Sequence, residues 1–139
     1  MIRVVLDTNI IVSGLLASDG LPAAILDLAL QSKVRAALSR PILAEMERVL
    51  RRPRFDFEPR KIGSFLALFK SRAKLVSPSR TLDVCREDPS DNRFLECAEA
   101  AKAEFLVTGN KSHFPLRRGN TVVVNPREFW EAYLLRMAL

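Results

Sequence analysis

Two hydrophobic periods alternate along this chain. Residues 2–6, IRVVL, form a short β-branched run without strict alternation, the pattern of a strand buried on both faces of a parallel sheet. Residues 20–32, GLPAAILDLALQS, carry apolar side chains at helical spacing behind an early proline, and 33–38, KVRAAL, return to strand character. A strand, helix, strand unit is expected by residue 38. Residues 39–52, SRPILAEMERVLRR, read as an amphipathic helix with apolar positions Ile42, Leu43, Met46, Val49 and Leu50, arginines at the exit where cations suit the helix dipole, and Pro53 as its stop.

The alternation continues beyond a basic, turn-prone segment. Residues 60–73 read as another amphipathic helix, 74–78 as a short strand or extended link, 90–102 as a helix, and 103–109 as a buried strand ending in a turn. A last short strand is expected at 121–126, followed by a helix over 126–138 with Pro126 at or near its first position. Strands alternating with helices predict an α/β fold of three layers, α/β/α, around a mostly parallel central sheet. The 139 residues suit one domain spanning 1–139, and no internal repeat is visible.

Composition narrows the class. With 48% hydrophobic residues and no low-complexity window, the chain reads as ordered and globular. No stretch approaches the roughly 20 apolar residues of a membrane span. The start, MIRVVLDTN, enters strand-like sequence without a signal-peptide core, so a cytoplasmic protein with no membrane partner is expected. Cys85 and Cys97 lack CxxC spacing and neighbouring histidines, which argues against a disulfide framework or a structural zinc site; Cys97 reads as a small core residue. The 22 Lys and Arg against 16 Asp and Glu give a net charge of +6. Such a balance suits a polyanionic partner, although it also serves to keep a small domain soluble.

The acidic residues carry the candidate chemistry. In an open parallel sheet the ligand crevice lies beyond the C-terminal ends of the strands, where the chain order reverses. Asp7 follows the first strand and Thr108 to Asn110 follow the strand at 104–107, so both segments open onto that edge. Counting 100° per residue, Asp91 falls within the face marked by Phe94, Leu95, Ala98 and Ala101, and therefore points towards the sheet. A carboxylate there is a helix cap, a salt-bridge partner or a cation ligand. Asp7 has the same ambiguity, because it also precedes TNIIVSG, which it could cap as a short helix. Glu45 and Glu47 lie at similar angles on either side of their helix's apolar face, so periodicity does not choose between them. Acids at a strand end, on a flanking helix and at a helix N-terminus form a joint pattern that suits Mg²⁺ or Mn²⁺.

Other templates fail. GxxxxGK[ST] and GxGxxG are absent, a haloacid-dehalogenase pattern would need an acid where Asn9 stands, and His113 is the only histidine available to activate a nucleophile. The segments VVLDTNIIVSGLL, RPILAEMERVLRRPRF, DPSDNRFLECAEAAKAEFLVTGNKSHFP and VVNPREFW together resemble the PIN-domain family, and within it the toxin components of toxin-antitoxin systems. The resemblance runs in order across nearly the whole chain.

It implies a metal-dependent ribonuclease with Asp7, Glu45 and Asp91 as catalytic and metal-binding acids and Asp88 as a further ligand candidate. It thereby selects Glu45 over Glu47. Asn9, Thr108 and Asn110 are secondary candidates; Asn110 stands where many such domains carry a fourth acid, which bears on a second metal. The implied reaction is endonucleolytic hydrolysis of single-stranded RNA with Mg²⁺ or Mn²⁺ as cofactor. Arg93, Lys111, His113, Arg117 and Arg118, near the strand-end loops, are the candidate RNA contacts. A separately encoded antitoxin and a homodimer are the further partners implied. Two rivals remain: a domain of this fold that binds RNA without cutting it, and an interaction module whose acids are only helix caps.

Overall fold

The computed structural model describes residues 1–139. Its first strand, β1 (Arg3–Leu6), is buried from Val4 onwards, as an unbroken β-branched run requires when both sheet faces are covered. Two helices follow, α1 (Thr8–Leu16) and α2 (Leu21–Leu30), the second with Pro22 in its first turn, and the chain then returns through β2 (Arg35–Leu38). Next come α3 (Arg40–Leu50), a 3₁₀ turn at Pro53–Phe55, α4 (Pro59–Arg72) and the two-residue strand β3 (Lys74–Leu75).

The remainder comprises α5 (Asn92–Ala101), β4 (Phe105–Val107), the short β5 (Arg117–Arg118), β6 (Thr121–Val124) and α6 (Pro126–Ala138). The sheet order is β3-β2-β1-β4-β6-β5. All pairings are parallel except β5 with β6. The mostly parallel three-layer α/β/α architecture read from the sequence is the one observed.

Topology then places the crevice. From β1 the chain moves outward through β2 to β3, then crosses back to β4 on the other side of β1. Right-handed crossovers taken in opposite directions put α1 and α2 on one face and α5 on the other. The order reverses between β1 and β4, where the backbones diverge after Leu6 and Val107. Beneath that edge 35 buried apolar residues form one continuous cluster that includes Ile11, Ile25, Met46, Phe69, Phe94, Leu95, Leu106 and Phe129. No single helix is long and apolar enough to cross a membrane.

The structure differs locally from the sequence reading in three places. Residues 8–16 form a helix longer than the short one that TNIIVSG allowed, running on through Leu15 and Leu16. Residues 117–124 form an antiparallel hairpin turning through Gly119 at φ +58°, a conformation open to glycine at little cost. The helix expected from residue 90 starts as a 3₁₀ turn, Pro89–Asp91, and becomes α-helical only at Asn92. At the other end of the chain α6 begins at the predicted proline, closed by a reciprocal capping box between Asn125 and Glu128.

Candidate active site

Asp7 is the first residue beyond β1, and its backbone N–H still donates to the Val107 carbonyl at 2.9 Å, tying it to the neighbouring strand. It occupies the cap position of α1, yet its carboxylate makes no cap hydrogen bond. Instead Oδ2 accepts from Thr108 Oγ1 at 2.7 Å and from Asn9 Nδ2 at 3.2 Å. Thr108, fully buried, also accepts the Asn110 N–H at 3.0 Å, while Asn9 Oδ1 accepts the Gly109 N–H at 3.2 Å. Two side chains thus hold Asp7 against the loop that leaves β4.

Glu45 comes from the partly exposed flank of α3, whose buried positions are Ile42, Met46 and Leu50. Its Oε2 accepts from Thr8 Oγ1 at 2.6 Å. Glu47 turns outward to an exposed pair with Arg51 at 3.3 Å. The structure therefore separates the two glutamates that periodicity left equivalent.

The 88–91 stretch resolves in the same way. Asp88 is the cap: its Oδ1 accepts the Ser90 N–H at 3.1 Å and the Ser90 hydroxyl at 2.6 Å. Asp91, only 7% exposed, caps nothing. Its Oδ2 lies 3.4 Å from His113 Nδ1, and His113 Nε2 lies 3.1 Å from Glu87. Asn92 holds this turn in place by accepting the Val84 and Cys85 N–H groups, each at 2.8 Å, and donating to the Cys85 and Pro89 carbonyls.

Asp7, Glu45, Asp88 and Asp91 line one cleft of about 370 Å³ at the C-terminal edge of the sheet, together with Thr8, Asn9, Ser13, Asn110 and His113. Burial raises the Asp7 carboxyl above its ordinary range, with Glu45 adding to the effect and the Thr108 hydrogen bond opposing it. Asp91 is raised to about 6, by burial first and then by Asp7 and Asp88. No lysine or arginine pairs with Asp7, Glu45 or Asp91; the one basic side chain within ion-pair distance of any of them is His113, beside Asp91.

That arrangement suits a divalent cation of the hard, oxygen-preferring kind. Every donor among the acids is a carboxylate oxygen, and Asp7 adds to the proton affinity that burial already gives Asp91. The acids do not converge into a ready-made set of three ligands. Each is turned towards its own hydroxyl, amide or imidazole partner, and like charges have no reason to close up without a cation between them. Mg²⁺ keeps several of its waters, so an open set of carboxylates is compatible with it.

Of the five sequence-derived RNA contacts, only His113 lines the cleft. Arg93 is turned to Glu96 at 2.7 Å, and Lys111 to Glu128 at 2.9 Å. Arg117 and Arg118 lie on the hairpin, and Arg118 lines a separate cavity with Arg80, Lys102 and Thr121, at the opposite edge where β6 begins. Closeness in sequence to a strand-end loop misplaced them because the hairpin carries the chain back across the sheet. The cations that do line the cleft are Arg52 and Arg54, beside Phe55. Their signal was the segment RRPRF, where Pro53 stops α3 shortly after Glu45 has faced the crevice.

Known proteins share the family and the fold. A family profile described as PIN domain matches residues 3–112. An uncharacterized protein of Methanocaldococcus jannaschii is 32% identical over 144 residues, covering 95% of this chain and 92% of that one. Among solved structures, VapBC2 from Rickettsia felis, bound to a DNA fragment from their promoter, is similar in fold, with a TM-score of 0.60 and 21% identity over 89% of this chain and 98% of the other. The profile match spans most of the chain, including β1, α3, the 88–91 turn, α5 and β4. This chain belongs to the PIN-domain family.

Proposed function

We propose that this protein is a metal-dependent endoribonuclease that hydrolyses phosphodiester bonds of single-stranded RNA and serves as the toxin of a toxin-antitoxin pair. The PIN-domain family is generally one of hydrolytic nucleases. The observation that carries the reading is Asp91: it is buried, it caps nothing, and it shares a cleft with Asp7, Glu45 and Asp88. The interaction-module rival requires the acids to be satisfied as caps, and of the four only Asp88 accepts a cap hydrogen bond.

In this mechanism Asp7 and Asp91 would hold Mg²⁺ or Mn²⁺, with Glu45 and Asp88 as the further carboxylates available to it. When bound, such a cation lowers the pKa of a coordinated water and offsets charge on the phosphate. The protein's own work is orientation. Thr108 and Asn9 fix the Asp7 carboxylate, Thr8 fixes Glu45, and His113 lies against Asp91. A protein nucleophile is not required, and the two thiols do not offer one: burial pushes Cys85 up to about 11 and Cys97 up to about 12. The antitoxin partner is supported by the fold shared with VapBC2 from Rickettsia felis.

The test incubates wild type and Asp91→Asn with labelled single-stranded RNA in Mn²⁺, in Mg²⁺ and in EDTA. Cleavage is expected only with a cation, and at least about 100-fold slower in the variant, as for loss of a group acting on the reacting phosphate. Intact RNA bound equally by both forms under every condition would establish the RNA-binding rival instead.

A further inference from the structure

The two arginines in the cleft have no role in holding a cation. A divalent ion at the carboxylates is repelled by guanidinium groups, so their presence on the same cavity wall calls for an anion as well. Neither Arg52 nor Arg54 makes an ion pair, whereas Arg51, Arg93, Lys111 and Arg136 each have a carboxylate at 2.7 to 3.3 Å. The Arg54 guanidinium lies over the Phe55 ring, 4.8 Å from its centroid. Phe55 in turn stacks on Phe57, with ring centroids 5.9 Å apart and planes inclined by 27°. Both rings are half-buried against the core, so the stack stands on a firm base while Arg54 itself is exposed.

We propose that Arg52, Arg54 and Phe55 form the single-strand docking wall of this cleft, with the arginines on RNA phosphates and the Arg54–Phe55 stack seating one unpaired base beside the carboxylates. The proposal rests on the RNA reading given above and specifies what part of the RNA is gripped. The 3₁₀ turn at Pro53–Phe55 displays these side chains together, and Asp56, left-handed at φ 53°, turns the chain away after them. A planar guanidinium on an aromatic face extends the stacking surface outward, and any base can occupy it once its own face is free. Duplex bases have no free face, so the wall selects single strands. Phosphates on the flanking arginines lay the backbone along the row of acids.

The test measures binding of a fluorescein-labelled single-stranded RNA by anisotropy in EDTA across a potassium chloride series, with wild type, Arg52→Ala/Arg54→Ala and Arg54→Lys. Thermal denaturation controls for folding. Losing two phosphate contacts should lower the slope of log affinity against log salt by about 1.4, at roughly 0.7 per contact on a single strand. Arg54→Lys should keep the slope and still weaken binding about fivefold or more, because an ammonium carries the charge without a stacking plane. Duplex RNA of the same sequence should bind more weakly and ignore Arg54→Lys.

Wild-type affinity and slope in the double variant, an Arg54→Lys form that binds like wild type, or no salt-dependent binding by wild type would each overturn the proposal. Its failure is separable from that of the nuclease reading. Asp91-dependent cleavage with an unchanged KM in the double arginine variant sinks the docking wall alone. Arginine-dependent RNA binding by a chain that never cleaves sinks the nuclease alone.

Discussion

Thr108 donates its hydroxyl to Asp7 at 2.7 Å, joining the C-terminal ends of two neighbouring parallel strands through the first acid of the cleft. Because the same oxygen accepts the Asn110 N–H, Thr108→Val removes both bonds. We predict a loss of about 10- to 100-fold in Mn²⁺ affinity or activity, the usual effect of removing a group that orients a metal ligand. Stability should fall by about 1–3 kcal/mol from the unmet partners. Calorimetric Mn²⁺ titration and urea denaturation measure the two effects; unchanged Mn²⁺ affinity would assign Thr108 to folding alone.

Glu45 and Glu47 give an internal comparison on one helix. Glu45→Gln is expected to slow cleavage by about tenfold or more, in line with loss of a metal-orienting carboxylate. Glu47→Gln removes only an exposed pair with Arg51 and should stay within about twofold of wild type, since such pairs contribute about 0–1 kcal/mol. Rates measured side by side on one RNA decide it, and equal losses would remove Glu45 from the mechanism.

The Asp91 carboxyl, raised to about 6 chiefly by burial, makes a pH prediction with a definite sign. Between its unfolded value of 3.8 and about 6 the folded protein keeps a proton that the unfolded chain releases. Metal-free stability should therefore fall as pH rises from about 4 to about 7, and the fall should be shallower in Asp91→Asn. Mn²⁺ needs the ionised form, so its stabilising effect should grow over the same range. Melting curves in EDTA and in Mn²⁺ test both statements; parallel wild-type and variant curves would refute the first.

Asn92 is 2% exposed and uses both ends of its amide on the 84–89 segment. Asn92→Ala leaves the Val84 and Cys85 N–H groups without their acceptor. The expected loss is about 2–6 kcal/mol, from one buried and one part-buried donor at roughly 1–3 each. Hydrogen exchange should speed up first at Val84 and Cys85, and a uniform change across the chain would count against a local role.

Asn110 lines the cleft without adding charge. Asn110→Asp should tighten Mn²⁺ binding several-fold, because carboxylate count tunes the affinity of oxygen sites. In EDTA the same variant should melt below wild type, since a further carboxylate then faces Asp7 and Asp91 unpaired. Mn²⁺ binding no tighter than wild type's would mean that residue 110 points away from the cation.

What could be read from the sequence depended on whether one element decided the matter. Helical phase placed Asp91 because Phe94, Leu95, Ala98 and Ala101 mark a single face, and all four are buried. Phase failed for Glu45 and Glu47, which flank their face symmetrically; the family resemblance chose Glu45, and the packing of α3 against Thr8 of α1 gives the physical difference between them. DPSD offered two acids for one cap, and the proline-led 3₁₀ turn gives it to Asp88. The arginines needed the path of the chain: Arg52 and Arg54 reach the cleft because Pro53 ends a helix there, while Arg117 and Arg118 are carried off by a hairpin. Local patterns found the acids, and the third dimension chose their cationic neighbours.

The strand order also sets a timetable. Residues 7, 45 and 91 leave the ribosome in sequence, but they have no common cleft until β4 lies between β1 and β6, the last strand made. Thr108, which steadies Asp7, takes its own backbone support from the Val124 carbonyl at 2.9 Å. A nascent chain therefore carries every acid of the cleft long before it can assemble them, because their pairing waits on contacts far apart in sequence. The cleft is thus complete only in a chain whose last strand has joined the sheet.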